Sequence, residues 1–507
     1  MTAVLHPVTQ AAPPTARPAD PRMKTVLVIT VLMSACYGLQ VVIDMLRPHV
    51  TGETGHALIG WFGTDLFGAG DTGWWEKASF WTYVFSLPVA LFTGLIGWER
   101  ARWVPDPARF LRATRIWQAA AAAVLLLPYA YTGVDLLAAG YRYTLICVPS
   151  AAYALWLLHR MQRHRRIPPR LLLAVFGWGA VIGVGFGYTL ETWFQNYAEY
   201  FYAPVVVNGG ESALPTYVND ITSANLVLAG VFEELGKGVG VAVVYLLLRR
   251  HIDNVVSGIV LGAAVGVGFN LVETVSYMGA QNGQTASSQF FLRQSLGMMA
   301  AHVAFTAVIG AGFGIARQLA DPRRRRLAIL AGFAIGIAGH FANDVLMTYF
   351  GRVKENWFSP SSAMDMLVYT PLAFVVLQGP LVLLYLVLLR RGLKDQAAAL
   401  AVELRAEAAT GFGAVEAPEV PTLMRPLRRL RLRIKALRNG GLAGYSALGR
   451  LYAAQFELGM ARWHTSRGER DPRDPDDQTL RRRILALKHD RYRAALPVNP
   501  HTTRGVS

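Results

Sequence analysis

Six residues in a very apolar chain have the types and spacing for chemistry: Glu233, Glu234, Lys237, Glu273, His302 and His340. Each falls inside a run of apolar residues. An ionisable side chain buried in such a run costs at least a few kcal/mol if the run crosses a bilayer. Of the eleven histidines, only His302 and His340 lie deep in such runs. Glu273 follows Phe269 by four residues and Asp344 follows His340 by four, so each pair shares a helix face. Glu234 and Lys237 are three apart and can pair, which offsets the cost of burying either. Glu233 and Glu234 are adjacent, point about 100° apart on a helix, and so cannot do the same job. A carboxylate with imidazoles in a partly dry cavity can activate water directly, with His or Asp stabilising the oxyanion. It can equally hold a divalent metal such as Zn2+ on Glu234, His302 and His340, whose bound water becomes the nucleophile. The spacing leaves both chemistries open, and no His-Glu-x-x-His run is present.

The elements that must position these groups follow from composition. Of 507 residues, 53% are hydrophobic and 16% charged, where a soluble chain carries about a quarter charged. The fold class expected is all-α, a polytopic transmembrane bundle of about ten spans. They lie near 24–46, 78–98, 113–133, 136–158, 171–191, 223–248, 255–279, 293–318, 327–349 and 367–390. Every second connection is basic: Arg100 to Arg115, His159 to Arg170, Arg249–Arg250, Arg323 to Arg326, and Arg390–Arg391. The positive-inside rule then puts both termini in the cytoplasm of an inner-membrane protein and accounts for the net charge of +17 without nucleic acid. With that topology, Glu233–Glu234, Glu273, His302 and His340 lie at similar depth, about six to ten residues below the outer face.

The expected organisation is a polar N-terminus (1–23) without a signal-peptide pattern, an N-terminal membrane half (24–191) and an extracytoplasmic loop (192–222). A polar-residue-bearing membrane core (223–390) and a basic tail (391–507) complete it. The loop carries Trp193, Phe194, Tyr197, Tyr200 and Tyr202, more often interfacial anchors than a gate. Gly258, Gly262 and Gly266, at four-residue spacing, let a neighbouring helix approach closely. Cys36 and Cys147 read as small core residues rather than a disulfide or metal pair. In the tail, a helical stretch (395–409) and a Pro/Gly linker (411–426) precede an Arg-rich stretch whose Leu427, Leu430, Leu432, Ile434 and Leu437 suggest an amphipathic helix on anionic lipid. A solvated basic tail competes with that reading, and the last 30 or so residues read as disordered.

The polar residues also resemble a known family. Glu233-Glu234-Leu-Gly-Lys237 is similar to the EExxK motif of the PrsW family of intramembrane proteases, and Phe269-Asn270-Leu-Val-Glu273 to its FxxxE motif. His302, in a helix opening with Arg293, and His340-Phe-Ala-Asn343-Asp344 resemble its later histidine motifs. The resemblance covers about 220–350 and reaches the broader superfamily that includes the CAAX prenyl proteases. It implies an endopeptidase that hydrolyses a membrane-anchored substrate, such as an anti-sigma factor, by a metallo- or glutamate-dependent mechanism. On that reading Glu233, Glu234, Lys237, Glu273, His302 and His340 are catalytic, and Phe269, Asn270, Asn343 and Asp344 line the substrate or orient a histidine.

Two other classes compete. A proton- or cation-coupled transporter would use the same buried carboxylates and histidines as a relay. Transporters are often built of internal repeats, and the two membrane halves show no similarity. A membrane scaffold would treat Glu233, Glu234 and Lys237 as a bracing ion-pair network and the histidines as core groups, leaving the burial of so many charges unexplained.

Overall fold

The computed structural model describes residues 20–46, 73–104, 106–191, 214–283, 286–358, 362–468 and 475–495. Every regular element among them is helical. The expected N-terminal segment lies outside them up to residue 19, and the aromatic loop up to residue 213. Helices are α1 (Pro21–Leu46), α2 (Gly73–Arg102), α3 (Pro107–Leu125), α4 (Leu127–Ala139), α5 (Tyr141–Met161) and α6 (Pro169–Glu191). Then come α7 (Leu214–Leu247), α8 (Val255–Gly279), α9 (His302–Gln318), α10 (Pro322–Phe358), α11 (Thr370–Ala409), α12 (Pro426–Ser466) and α13 (Asp477–Ala495).

Seven described helices are long and apolar enough to cross a membrane, or eight if the pair α3–α4, bent by 56°, is one span. The chain is thus a multi-pass membrane protein. The expectation of ten includes α5 and α7 as well. The centre of α7 carries Glu233, Glu234 and Lys237, which takes it outside the range of an ordinary lipid-facing helix.

The chain divides into two compact units. In the first, α1, α2 and α4 are tied by Tyr37, Tyr83 and Tyr129, whose hydroxyl donates to the Met33 carbonyl at 2.6 Å. The second unit holds all the candidate chemistry. Its axis is α8, buried without interruption from Val255 to Val272. The stripe Gly258, Gly262 and Gly266 lies directly on α9. A Cβ at these positions would fall into the carbonyls of Gly310, Thr306 and His302 respectively. On its other side, Gly268 meets the Phe176 carbonyl, and Gly179 of α6 meets that of Val265. Backbone-to-backbone contact on both flanks, rather than apolar attraction, sets the spacing of helices in lipid.

The tail differs from the sequence expectation. Helix α11 runs from the last span into the tail without a break, and α12 packs on it through Leu400, Leu404, Phe456 and Met460. The Pro/Gly stretch is no linker, since Val415, Val420 and Leu423 are buried. Residues 477–495 form α13, held by Arg481 on the buried Glu407 at 2.7 Å. These cores escape sequence reading because their apolar residues come a few at a time from separate helices and the stretch between them. The tail is also joined to the residues just before α8 and to the end of α9. His464 meets Asp253 at 2.8 Å and Arg317 at 3.4 Å, and Arg467 donates to the Gln318 carbonyl at 2.7 Å.

Gly262→Val should therefore cost about 1–3 kcal/mol or more through overpacking against Thr306 and appear as a lowered Tm. Gly177→Val, where nothing lies within 4 Å of an added Cβ, should be near neutral in the same melting experiment.

Candidate active site

Helix α7 carries the sequence-predicted charges into the core on successive turns. The Lys237 ammonium donates to Glu234 Oε1 at 2.6 Å and Glu233 Oε2 at 3.1 Å, and lies 3.8 Å over the ring of Phe269. Both Lys237 and Glu234 are 0% exposed. An ion pair so completely dried persists only when its groups keep further hydrogen bonds. Both oxygens of Glu234 have them: Oε1 also meets His340 Nδ1 at 3.1 Å, and Oε2 accepts from the Thr306 hydroxyl at 3.1 Å.

Glu233 turns the other way, as adjacency on a helix requires. Its Oε2 faces His302 Nδ1 at 3.6 Å and His340 Nε2 at 3.7 Å. The outer nitrogen of each histidine is held by a different carboxylate. His302 Nε2 lies 2.5 Å from Glu273 Oε2, which Arg293 also grips at 2.6 Å, and His340 Nδ1 lies on Glu234. The other nitrogens, His302 Nδ1 and His340 Nε2, face Glu233 Oε2, and the Lys237 ammonium also lies 3.1 Å from His302 Nδ1. The His302 and His340 rings are 5.0 Å apart, and Phe305 stacks on His340 at 4.8 Å.

This donor set fits a metal. One ligand atom each from Glu233, His302 and His340 lies within 4.8 Å of the others. The 3.6 and 3.7 Å edges to Glu233 Oε2 are close to the separation of two ligands about 2.1 Å from a tetrahedral ion. Carboxylates on the far nitrogens of both histidines are the support that metal-bound imidazoles ordinarily have. The sequence expectation offered Glu234 as the carboxylate of this set. Its two oxygens instead serve Lys237, His340 and Thr306, and the oxygen facing both histidines belongs to Glu233.

The remaining predicted residues fall around this centre in distinct places. Phe269, 3% exposed, forms a wall under Lys237 and beside His302. Asn270 donates to the Arg293 carbonyl at 3.0 Å, so it braces the chain that carries Arg293. Asp344 Oδ2 is 3.4 Å from His340 Nε2, with its side chain 23% exposed, and Asn343 donates to Asp344 Oδ1 at 3.0 Å. Asp344 is therefore the predicted acid most open to an incoming chain.

Three features were not read from the sequence. Glu191, the last residue of α6, brings a further carboxylate beside Glu233, Glu273 and Lys237. The signal was available: Gly179, Gly183, Gly187 and Glu191 recur at four-residue spacing on one face, with Gly183 against Lys237 and Gly187 against Glu233. The second feature is a break in the helical span 286–318, where His302 follows Ala301 at φ 46°, ψ −128°. Ala301 is the one non-glycine residue with positive φ among the described residues. Such a conformation costs about 1–3 kcal/mol and persists only where its surroundings enforce it. The third feature is what enforces it. Gln378 of α11 accepts from the Ala301 N–H at 3.1 Å and donates to Asn343, while Tyr385, two turns along α11, donates to the Met299 carbonyl at 2.9 Å. Gln378 thus links the turn before His302 to the helix bearing His340. An uncharged amide in an apolar helix gives little sequence signal.

Comparison with known proteins adds a family. Residues 167–378 match the family model described as PrsW family intramembrane metalloprotease, a peptidase family. No curated protein and no solved structure matches the chain.

If Gln378 holds the strained turn, Gln378→Met should slow turnover about 10²-fold, the scale of an ångström misplacement of a reacting group. Ala301→Gly, which removes the penalty on positive φ, should restore most of that loss in the double variant. An unchanged Gln378→Met rate would remove the clamp from the account.

Proposed function

We propose that this chain, whose residues 167–378 match the PrsW family of intramembrane metalloproteases, cuts a membrane-embedded protein substrate at a centre built on Glu233, His302 and His340. The observation that carries this assignment is the pairing pattern. Both histidines are held from behind by carboxylates, and their other nitrogens, His302 Nδ1 and His340 Nε2, converge on Glu233 Oε2. The ion this donor set suits best is Zn2+, which when bound lowers the pKa of a coordinated water toward 7.

The chain's own groups do the rest. Glu233 would hold the ion together with His302 and His340. Glu234 works on the protein, holding Lys237, His340 and Thr306 in place. Arg293 and Glu273 fix the His302 ring with its Nδ1 toward Glu233. Asp344 and Asn343, at the more open edge, take the backbone of the substrate, with the Asp344 carboxylate accepting from a substrate peptide N–H. Phe269 and Phe305 keep bulk water away, which strengthens every electrostatic contact within. A single-span regulatory protein, such as an anti-sigma factor, is the kind of substrate that the resemblance suggests. A cell inner membrane with both termini cytoplasmic is the setting that the basic connections favour. The basic tail would then lie along the anionic leaflet.

The division of labour between neighbouring glutamates gives the test. In proteoliposomes with a membrane-anchored reporter, Glu233→Gln should lower the cleavage rate about 10²–10⁴-fold with Tm unchanged. Glu234→Gln should instead cost about 3–5 kcal/mol of stability, because Lys237 loses the partner that compensates its burial. Equal cleavage by wild type and Glu233→Gln would refute the proposal.

A further inference from the structure

At the inner end of the core, a group of arginines faces itself. Arg160 ends α5, and Arg163 and Arg166 lie in the short connection to α6, whose membrane span begins at Pro169. Arg429 and Arg433, one turn apart on α12, come onto this connection, and Arg429 donates to the Arg163 carbonyl at 2.5 Å. Arg166 interacts with both Arg160 and Arg433, and Arg429 with Arg166. None of the five is paired with a carboxylate among the described residues. Their contacts are carbonyls and rings: Arg166 on the Gln162 carbonyl at 3.3 Å, Arg433 over Tyr445 at 3.8 Å, and Arg429 over Phe456 at 4.9 Å. Burial and Arg166 together push the Arg429 guanidinium down to about 10, and burial with Arg429 pushes His164 down to about 4. Cations gathered this way without a counter-charge call for an anion from outside.

The same helix says which anion. Leu427, Leu430, Ile434 and Leu437 form a stripe at three- and four-residue spacing and are 70, 39, 38 and 37% exposed. Beside it runs a basic stripe of Arg428, Arg431, Lys435 and Arg438, while Arg429 and Arg433 point inward at the connection. An exposed apolar stripe flanked by arginines, a few residues from the start of a membrane span, matches the boundary between acyl chains and headgroups. A soluble phosphate would use the arginines and leave the leucines bare.

The geometry points to a binding site for the phosphate of an anionic phospholipid, formed by Arg160, Arg163 and Arg166 together with Arg429 and Arg433, with the leucine stripe of α12 in the acyl region. It rests on the reading of the tail as lying at the inner leaflet, and makes that reading specific. One lipid would join the α5–α6 connection to the tail and complete its charge balance.

The test counts lipids retained by the full-length chain in detergent by native mass spectrometry, in a Glu233→Gln background so that proteolysis plays no part. With phosphatidylglycerol and phosphatidylcholine supplied equally, one phosphatidylglycerol should be retained in preference. Arg160→Gln/Arg166→Gln/Arg433→Gln should weaken that retention about a hundredfold, the scale for three basic residues at an anionic surface. Arg166→Gln alone, at an exposed position, should weaken it several-fold and guards against misfolding of the triple variant. Arg428→Gln/Arg431→Gln/Arg438→Gln, which removes as much charge from the outer stripe, should leave the retained lipid in place. No headgroup preference, equal loss in both triple variants, displacement by millimolar inorganic phosphate, or tighter binding of an RNA oligonucleotide would each overturn the proposal.

Discussion

The Lys237–Glu234 pair, fully removed from solvent on α7, is the constraint around which the centre is arranged. Desolvating two opposite charges is repaid only if each keeps further partners. Glu234 therefore draws His340 and Thr306 to itself from α10 and α9, and Lys237 draws Glu233 and the face of Phe269. Once these are fixed, Glu233 has one direction left, toward the histidines. The reactive geometry is thus the remainder of a charge-compensation problem solved with its neighbour.

That solution needs helices closer than ordinary side chains permit. Glycines on α8 and α6 let α8 touch α9 and α6 backbone to backbone, which brings Glu273, Lys237 and His302 within reach of one another. The break before His302 then turns its ring inward at the cost of one strained residue, which α11 restrains through Gln378 and Tyr385. Strain concentrated at one residue beside a reactive group is commonly part of how such a site is pre-organised.

Much of this was legible in the sequence. The depth match of Glu233–Glu234, Glu273, His302 and His340 across alternating helices predicts one cluster, and four-residue pairs predict which groups share a face. The glycine stripe on α8 predicts a close neighbour. Adjacency says that Glu233 and Glu234 differ but not which one faces the histidines, because that depends on the rotation of α7 against α9 and α10. Glu191 went unread because an acid at a span end is ordinary, and Gln378 because its role lies in hydrogen bonds between helices far apart in the chain. The tail was misread because its cores assemble residues from α11, α12, α13 and the stretch between α11 and α12.

Elemental analysis of the purified full-length protein, wild type beside Glu233→Ala, His302→Ala, His340→Ala and Glu234→Gln, tests the central assignment most directly. About one zinc per chain, lost in the first three variants and kept in folded Glu234→Gln, is the predicted result. A folded, proteolytically active wild type without metal, or metal lost with Glu234 and kept without Glu233, would contradict it.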